Sequence, residues 1–385
     1  METVKALCNG VLRFFREADI VLLVLSLAGS ILSVFLIDSA TANRPIYAGS
    51  ATIQIGAIVI GVLFFILFTY LDIDLIADRS KLLTFFSLSL LGLLLVWGVG
   101  YYEVRERSWI RFWGIGIQPA EIVKLPLIIV MAKMMATFKE QRTINSIVSL
   151  LQMILVFGIF FVAVLVIPQD LGTAVVYFGI FAVMLFASGV KLRWFALGAL
   201  VFTAAAPFLW ENALNERQQD RIMAPFFPEI ADPDRTDVLW QSDLSVEAIA
   251  GGGVFGQGLG NGRLTQAAFI PAHHTDFVFS IAGEELGFVG TVSIIALLTC
   301  IIIRCFYVGV KSNNPLGMLV CIGVGAMVII QSIMNIGMAL GYLPVIGITL
   351  PFISYGGSSI VTCFAAMGIV SGIKMRPKPV RFRNL

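Results

Sequence analysis

Residues 147–190 read IVSLLQMILVFGIFFVAVLVIPQDLGTAVVYFGIFAVMLFASGV: two apolar runs, 147–167 and 171–190, interrupted by Pro168-Gln169-Asp170. About 20 predominantly apolar residues make a helix long enough to cross a bilayer, and each run has that length. Proline lacks the N–H that a helix interior needs, and its ring pushes the preceding residue out of the helical region. The stretch therefore predicts two membrane-crossing helices joined as a tight hairpin.

The rest of the chain follows suit. Its 385 residues are 58% hydrophobic and 13% charged, with 30 phenylalanines, whereas soluble domains carry about 25% charged residues. A cytosolic globule of this composition would precipitate. Ten apolar runs are present, at 20–37, 51–71, 82–101, 115–137, 147–167, 171–190, 194–210, 277–308, 315–340 and 348–373. The first follows Arg13 and Arg16 but precedes no small-residue cleavage site, so it reads as an uncleaved span rather than a signal peptide. No internal repeat is visible. With a cytoplasmic N-terminus, the inside segments hold sixteen Lys and Arg residues, Arg304 near the inner end of the eighth run included, and the outside segments eight, although the latter include the longest loop. The positive-inside rule then puts both termini in the cytoplasm. The expected fold is an all-α polytopic membrane protein, one domain over 1–385, with ten transmembrane helices and a large extracytoplasmic loop, 211–276, between spans 7 and 8.

A net charge of +2 gives no footprint for nucleic acid. The five cysteines have no C-x-x-C spacing and none lies in the long loop, so no disulfide staples it. Nor is there a Cys/His cluster suited to zinc.

Several motifs invite chemistry. In QPAEIVKL, from Gln118, Glu121 and Lys124 share a helix face inside a span. A charge at the bilayer centre costs about 3 kcal/mol, so such groups pair or line a wet cavity. They form either a structural ion pair or a substrate contact. Arg105, Arg107 and Arg111 lie on the outer face, against the general charge trend; they are either a solvated loop or a site for an anion such as a lipid phosphate. GGGVFG, residues 251–256, formally matches G-x-G-x-x-G, but no soluble strand–turn–helix unit surrounds it, which excludes a dinucleotide site. The glycines read instead as letting backbone approach a bulky substrate. Asp72 and Asp74 form a D-x-D on the cytoplasmic side and read as a solvated connector. LPFISYGGSS, residues 350–359, predicts a broken helix whose freed backbone is buried or faces a cavity; Ser359 lacks the intramembrane histidine that a protease nucleophile needs.

The only histidines, His273 and His274, precede Asp276, which stands before an apolar run. At that interface a carboxylate stays ionised yet partly desolvated, as a general base requires. The helix dipole favours its charged form, and a simple helix cap is the competing reading.

Taken together, GIQPAEIVKL, QDLGTA, GGGVFGQGLGNG, HTDFVFSIAGEELGFVG and LPVIGITLPFISYGGSS resemble the SEDS family (shape, elongation, division and sporulation) of RodA/FtsW proteins, from about 109 to about 372. The resemblance implies a peptidoglycan glycosyltransferase of the bacterial cytoplasmic membrane. Such an enzyme polymerises lipid II on the outer face, for elongation or division, beside a class B penicillin-binding protein. Carried over, the essential loop aspartate is Asp276. The substrate-binding candidates are Trp109, Arg111, Glu121, Lys124, Asp170, Arg221, Gln241, Ser354 and Ser358. The chain departs from the family at Ala120, where a serine is usual, and at Gln257, where a basic residue is common, which removes a phosphate contact there.

On this reading Asp276 deprotonates the acceptor's 4-hydroxyl. The oxygen attacks the anomeric carbon of a lipid-linked nascent glycan, and Arg111, Lys124 and Arg221 are the cations for the leaving diphosphate. No cofactor is required by the residues; a divalent cation such as Mg could accompany the diphosphate. The histidines receive no chemistry. A lipid-precursor flippase is the alternative, and it would place its polar residues near the midplane.

Overall fold

The structure, a computed structural model, describes residues 14, 16–43, 47, 49–99, 108–112, 115–212, 214–236, 239–267 and 275–376. Arg105, Arg107, His273 and His274 lie outside these.

The described chain forms α1 (Ile20–Thr41), α2 (Ser50–Tyr70), α3 (Ile73–Asp78) and α4 (Ser80–Trp97), followed by strands β1 (Gly98–Val99), β2 (Trp109–Phe112) and β3 (Ile115–Ile117). Then come α5 (Pro119–Glu140), α6 (Ile147–Val166), α7 (Leu171–Ser188), α8 (Leu192–Asn212), α9 (Glu216–Met223), α10 (Pro228–Ala231), α11 (Trp240–Gly251) and α12 (Arg263–Gln266). The last three are α13 (Val278–Lys311), α14 (Pro315–Ala339) and α15 (Gly357–Met375).

Eight helices among the described residues are long and apolar enough to cross a membrane: α1, α2, α4, α6, α7, α13, α14 and α15. The chain is thus a multi-pass membrane protein. Two expected spans fall short of that test for different reasons. Helix α5 carries Glu121, Lys124 and Lys133, and the apolar part of α8, Leu192–Phe208, is short. The hairpin at 147–190 forms as expected, with Ser146 capping α6 through Ser149 N and Asp170 capping α7 through Thr173 N.

Three features depart from the sequence reading. The fold is not purely helical: β1, β2 and β3 form a small antiparallel sheet, with Arg111 opposite Gly116. Aromatic and β-branched residues in WIRF and IGI favour strands, and α5 starts only where Pro119 takes the first helical position. Second, α13 is not one regular helix but breaks at Gly287, with φ 68° and ψ −163°, a conformation open only to glycine. Third, the last span begins later than 348, although the segment before Gly357 is irregular yet buried, as expected from LPFISYGGSS, with Leu350, Phe352 and Ile353 inside the core.

Helices α5, α14 and α15 form the centre of the molecule and are buried on most faces. Helix α15 packs along α2, and α14 packs against α13, α7 and α5.

Candidate functional site

Three helices begin at one place. Gln118, the residue before α5, donates its N–H to Ser358 Oγ at the start of α15 (3.1 Å) and its side-chain Nε2 to Asp170 Oδ2 at the start of α7 (3.0 Å). Each helix N-terminus presents free N–H groups and about half a positive charge, so the convergence of α5, α7 and α15 is an anion-favouring spot. Asp170 answers part of it, accepting from Thr173 N (2.8 Å) and Thr173 Oγ1 (2.7 Å). Desolvation holds the Asp170 carboxyl above the usual carboxylate range; the Thr173 hydrogen bonds and Lys124 pull it down, and Glu121 pushes it further up.

One turn into α5, Lys124 Nζ meets Glu121 Oε1 at 2.5 Å, with both side chains buried. Tyr177 of α7 donates its hydroxyl to the Ala120 carbonyl (2.8 Å) and locks α7 to α5 at this level. The residue before β2 reaches the α6–α7 turn, where Ser108 Oγ donates to the Pro168 carbonyl (3.3 Å). Trp109 and Arg111 are exposed on β2.

Asp276 is half-buried, one residue before Phe277, the N-cap position of α13. Asp276 is therefore not the cap of this helix. Its carbonyl accepts from Asn335 Nδ2 of α14 (2.7 Å), and the same nitrogen donates to the Ile348 carbonyl (2.7 Å). Asn335 thereby joins the Asp276 backbone to the irregular segment before α15. That segment also reaches the helix-start cluster: a Cβ at Gly172 would stand 2.3 Å from the Ile346 carbonyl oxygen, so only glycine lets α7 approach so closely. A Cβ at Gly347 would lie 3.7 Å from Asp276 Oδ2. Segment 346–348 thus touches both the Asp276 residue and the Asp170 end of α7.

Among the described residues, the remaining candidates make no hydrogen bond to this cluster. Ser354 is turned into its own loop, where its Oγ accepts from Leu350 N (2.8 Å) and its carbonyl accepts from Gln54 Nε2 (3.2 Å). Arg221 is half-buried on α9, and Gln241 is half-buried on the first turn of α11. Helix α11 is fixed by Ser245, whose hydroxyl pairs with Ser280 of α13 and donates to the Ala339 carbonyl of α14 (2.6 Å). Among the described residues no three His, Cys, Asp or Glu side chains gather to hold a metal.

The glycine-rich run closely approaches the backbone of α13, a contact the sequence reading did not include. The break at Gly287 frees the carbonyls of Glu284 and Glu285, which accept from Gln257 N (2.9 Å) and Gly258 N (3.0 Å). It also frees Phe288 N and Val289 N, which donate to the carbonyls of Gly253 (2.9 Å) and Val254 (3.1 Å). The loop replaces the missing helical turn. Below it, buried Glu284 accepts from Leu264 N (2.7 Å), Thr265 N (2.9 Å) and Thr265 Oγ1 (2.7 Å). Buried Glu285 accepts from Ser39 Oγ of α1 (2.6 and 2.7 Å) and Gln266 Nε2 (3.2 Å).

Sequence reasoning passed over Gln118, Asn335, Glu284 and Glu285. The adjacent acids in an apolar run were a readable signal, since unpaired carboxylates there are expensive.

Comparison with known proteins agrees with this architecture. The chain is 32% identical over 328 residues to a probable peptidoglycan glycosyltransferase FtsW of Bacillus subtilis (strain 168), covering 84% of this chain and 80% of the relative. It is 31% identical over 371 residues to another of that name from Trichlorobacter lovleyi, covering 94% and 95%. Its fold is similar to a chain from a peptidoglycan synthase complex that coordinates polymerization and crosslinking, with TM-score 0.78, 29% identity and coverage of 93% and 97%. It is also similar to the rod shape determining protein RodA of Thermus thermophilus, with TM-score 0.67, 26% identity and coverage of 93% and 96%. Residues 18–378 match the model of the cell cycle protein family of FtsW, RodA and SpoVE, and to that family this chain belongs.

Proposed function

We propose that this chain is a peptidoglycan glycosyltransferase that polymerises lipid II on the outer face of the bacterial cytoplasmic membrane, for elongation or division. The observation that supports it most is the placement of segment 346–348. It approaches the half-buried Asp276 carboxylate and also the start of α7, which Gln118 joins to the starts of α5 and α15 above Lys124. A base next to an anion-favouring spot suits transfer from a diphosphate donor.

In this reading Asp276 takes the proton of the acceptor 4-hydroxyl. The new C1–O4 bond forms as the C1–O bond to the lipid diphosphate breaks, with inversion at C1. The helix N-termini and Lys124 stabilise the charge on the departing diphosphate, so a second carboxylate is not needed to protonate it. Trp109, Arg111, Arg221, Gln241, Ser354 and Ser358 serve substrate binding.

The reading includes ten spans, cytoplasmic termini and an outer loop at 211–276, supported by the basic-residue asymmetry. It also includes a class B penicillin-binding protein as partner, supported by the fold shared with a chain of a peptidoglycan synthase complex. Purified chain in vesicles, offered labelled lipid II with and without a class B transpeptidase, tests it. Polymer ladders are expected; lipid II moved across the bilayer with no polymer would favour a flippase instead.

A further inference from the structure

Residues 248–262, AIAGGGVFGQGLGNG, contain no charged side chain, whereas residues 211–247 are densely charged. The two residues flanking the uncharged run, Glu247 and Arg263, pair with each other at 2.6 Å. The run is a lobe closed at its base by an exposed ion pair. Its apex is apolar, with Phe255 82% exposed and Val254 exposed beside it.

The apex does not stand free of the helices. The bonds from Phe288 N and Val289 N to the carbonyls of Gly253 and Val254 fix it against α13 just past the break. From that point α13 presents exposed apolar side chains along its length, at Phe288, Val289, Val292, Ile295 and Ile303, and it ends at Lys311. At 1.5 Å per residue, the part from Phe288 to Lys311 is about 35 Å long, against about 30 Å for a hydrocarbon core. With Lys311 at one interface and α13 tilted as over-long spans are, Phe288 comes to the opposite hydrocarbon boundary, and Val254 and Phe255 come with it.

We propose that the Val254–Phe255 apex is inserted into the bilayer, its side chains among the acyl chains of the leaflet at the Val278 end of α13. In water, an exposed phenylalanine continuous with Phe288 and Val289 would be an apolar patch without a cover; among acyl chains the same exposure is favourable. Irregular backbone at that depth is tolerated as its polar groups are paired, and the exchange of bonds between 253–258 and 284–289 pairs the carbonyls of Gly253 and Val254 and the N–H groups of Gln257 and Gly258. The insertion anchors the lobe and sets the depth at which the loop containing Asp276 meets lipid-linked molecules. It rests on α13 crossing the membrane and not on the reaction proposed above.

The test is photocrosslinking from p-benzoylphenylalanine placed at 255 in the full chain, in vesicles of phosphatidylethanolamine and phosphatidylglycerol. Position 303 is the lipid-facing control and position 229, exposed in the charged part of the loop, the aqueous one. Phe255 is exposed, so the substitution leaves the core intact. Phospholipid adducts at 255 in a yield matching 303 are expected. A yield no higher than at 229, or adducts to a second copy of the chain in place of lipid, would overturn the proposal.

Discussion

Asn335 holds Asp276 by its backbone: one amide nitrogen donates at 2.7 Å to the carbonyl of Asp276 and at 2.7 Å to that of Ile348. The Asn335 side chain therefore ties the aspartate's backbone to segment 346–348. Asn335→Asp, which cannot donate, leaves two carbonyls short of a partner at about 1–3 kcal/mol each. We expect polymerisation to fall at least about tenfold while the protein still extracts and elutes as a monodisperse species. Wild-type rates in the variant would show that Asp276 is positioned by other contacts.

Glu121 and Lys124 are a buried pair at 2.5 Å. Removing either partner strands a charge, at about 3–5 kcal/mol, so each single alanine variant is expected to lose thermal stability sharply. The double variant should be less damaged than the sum of the singles, with a coupling of about 0.5–3 kcal/mol. Additive effects in a thermal-shift double-mutant cycle would mean that the pair does not act as a unit.

Glu284 gathers three donors from Leu264 and Thr265, so Glu284→Gln places an NH2 group against N–H donors. The segment around Arg263 is expected to become a trypsin site in folded protein, cut at least about tenfold faster than in the parent chain. Unchanged cleavage would rule out Glu284 as the latch of this loop.

Asp170 has a folded pKa raised above 3.8, chiefly by desolvation. The folded state then keeps its proton to higher pH than the unfolded chain does. The stability this contributes is present below the unfolded pKa and is lost as pH rises through the folded one. Asp170→Asn lacks that titration. Across the acidic range upward from about pH 4, the Tm of the parent chain in detergent is expected to fall relative to that of Asp170→Asn. Parallel Tm curves would contradict the shift.

Local chemistry made some of this legible. The hairpin at 147–190 was readable because proline and a polar pair break an apolar run, and the Glu121–Lys124 pair because two opposite charges three apart share a face. The break at Gly287 was not, since a glycine in an apolar helix is ordinarily tolerated and its φ is set by the loop that docks there. The same long-range contact makes the glycine run a replacement for a helical turn, a use that the sequence did not show. Residues 115–117 read as the start of a span because strand and helix segments are equally apolar over so few positions. Asn335 was hidden for another reason: its two acceptors are far from it in sequence, and no periodicity encodes them.

The central claim is that the Asp276 carboxylate is the base of glycan polymerisation. It is tested most directly by giving labelled lipid II to purified Asp276→Asn and parent chain, each with the same class B transpeptidase, and resolving the products by length. The account predicts ladders from the parent chain and none from the variant, with both binding the transpeptidase equally. Ladders of near-parent intensity from Asp276→Asn would contradict it.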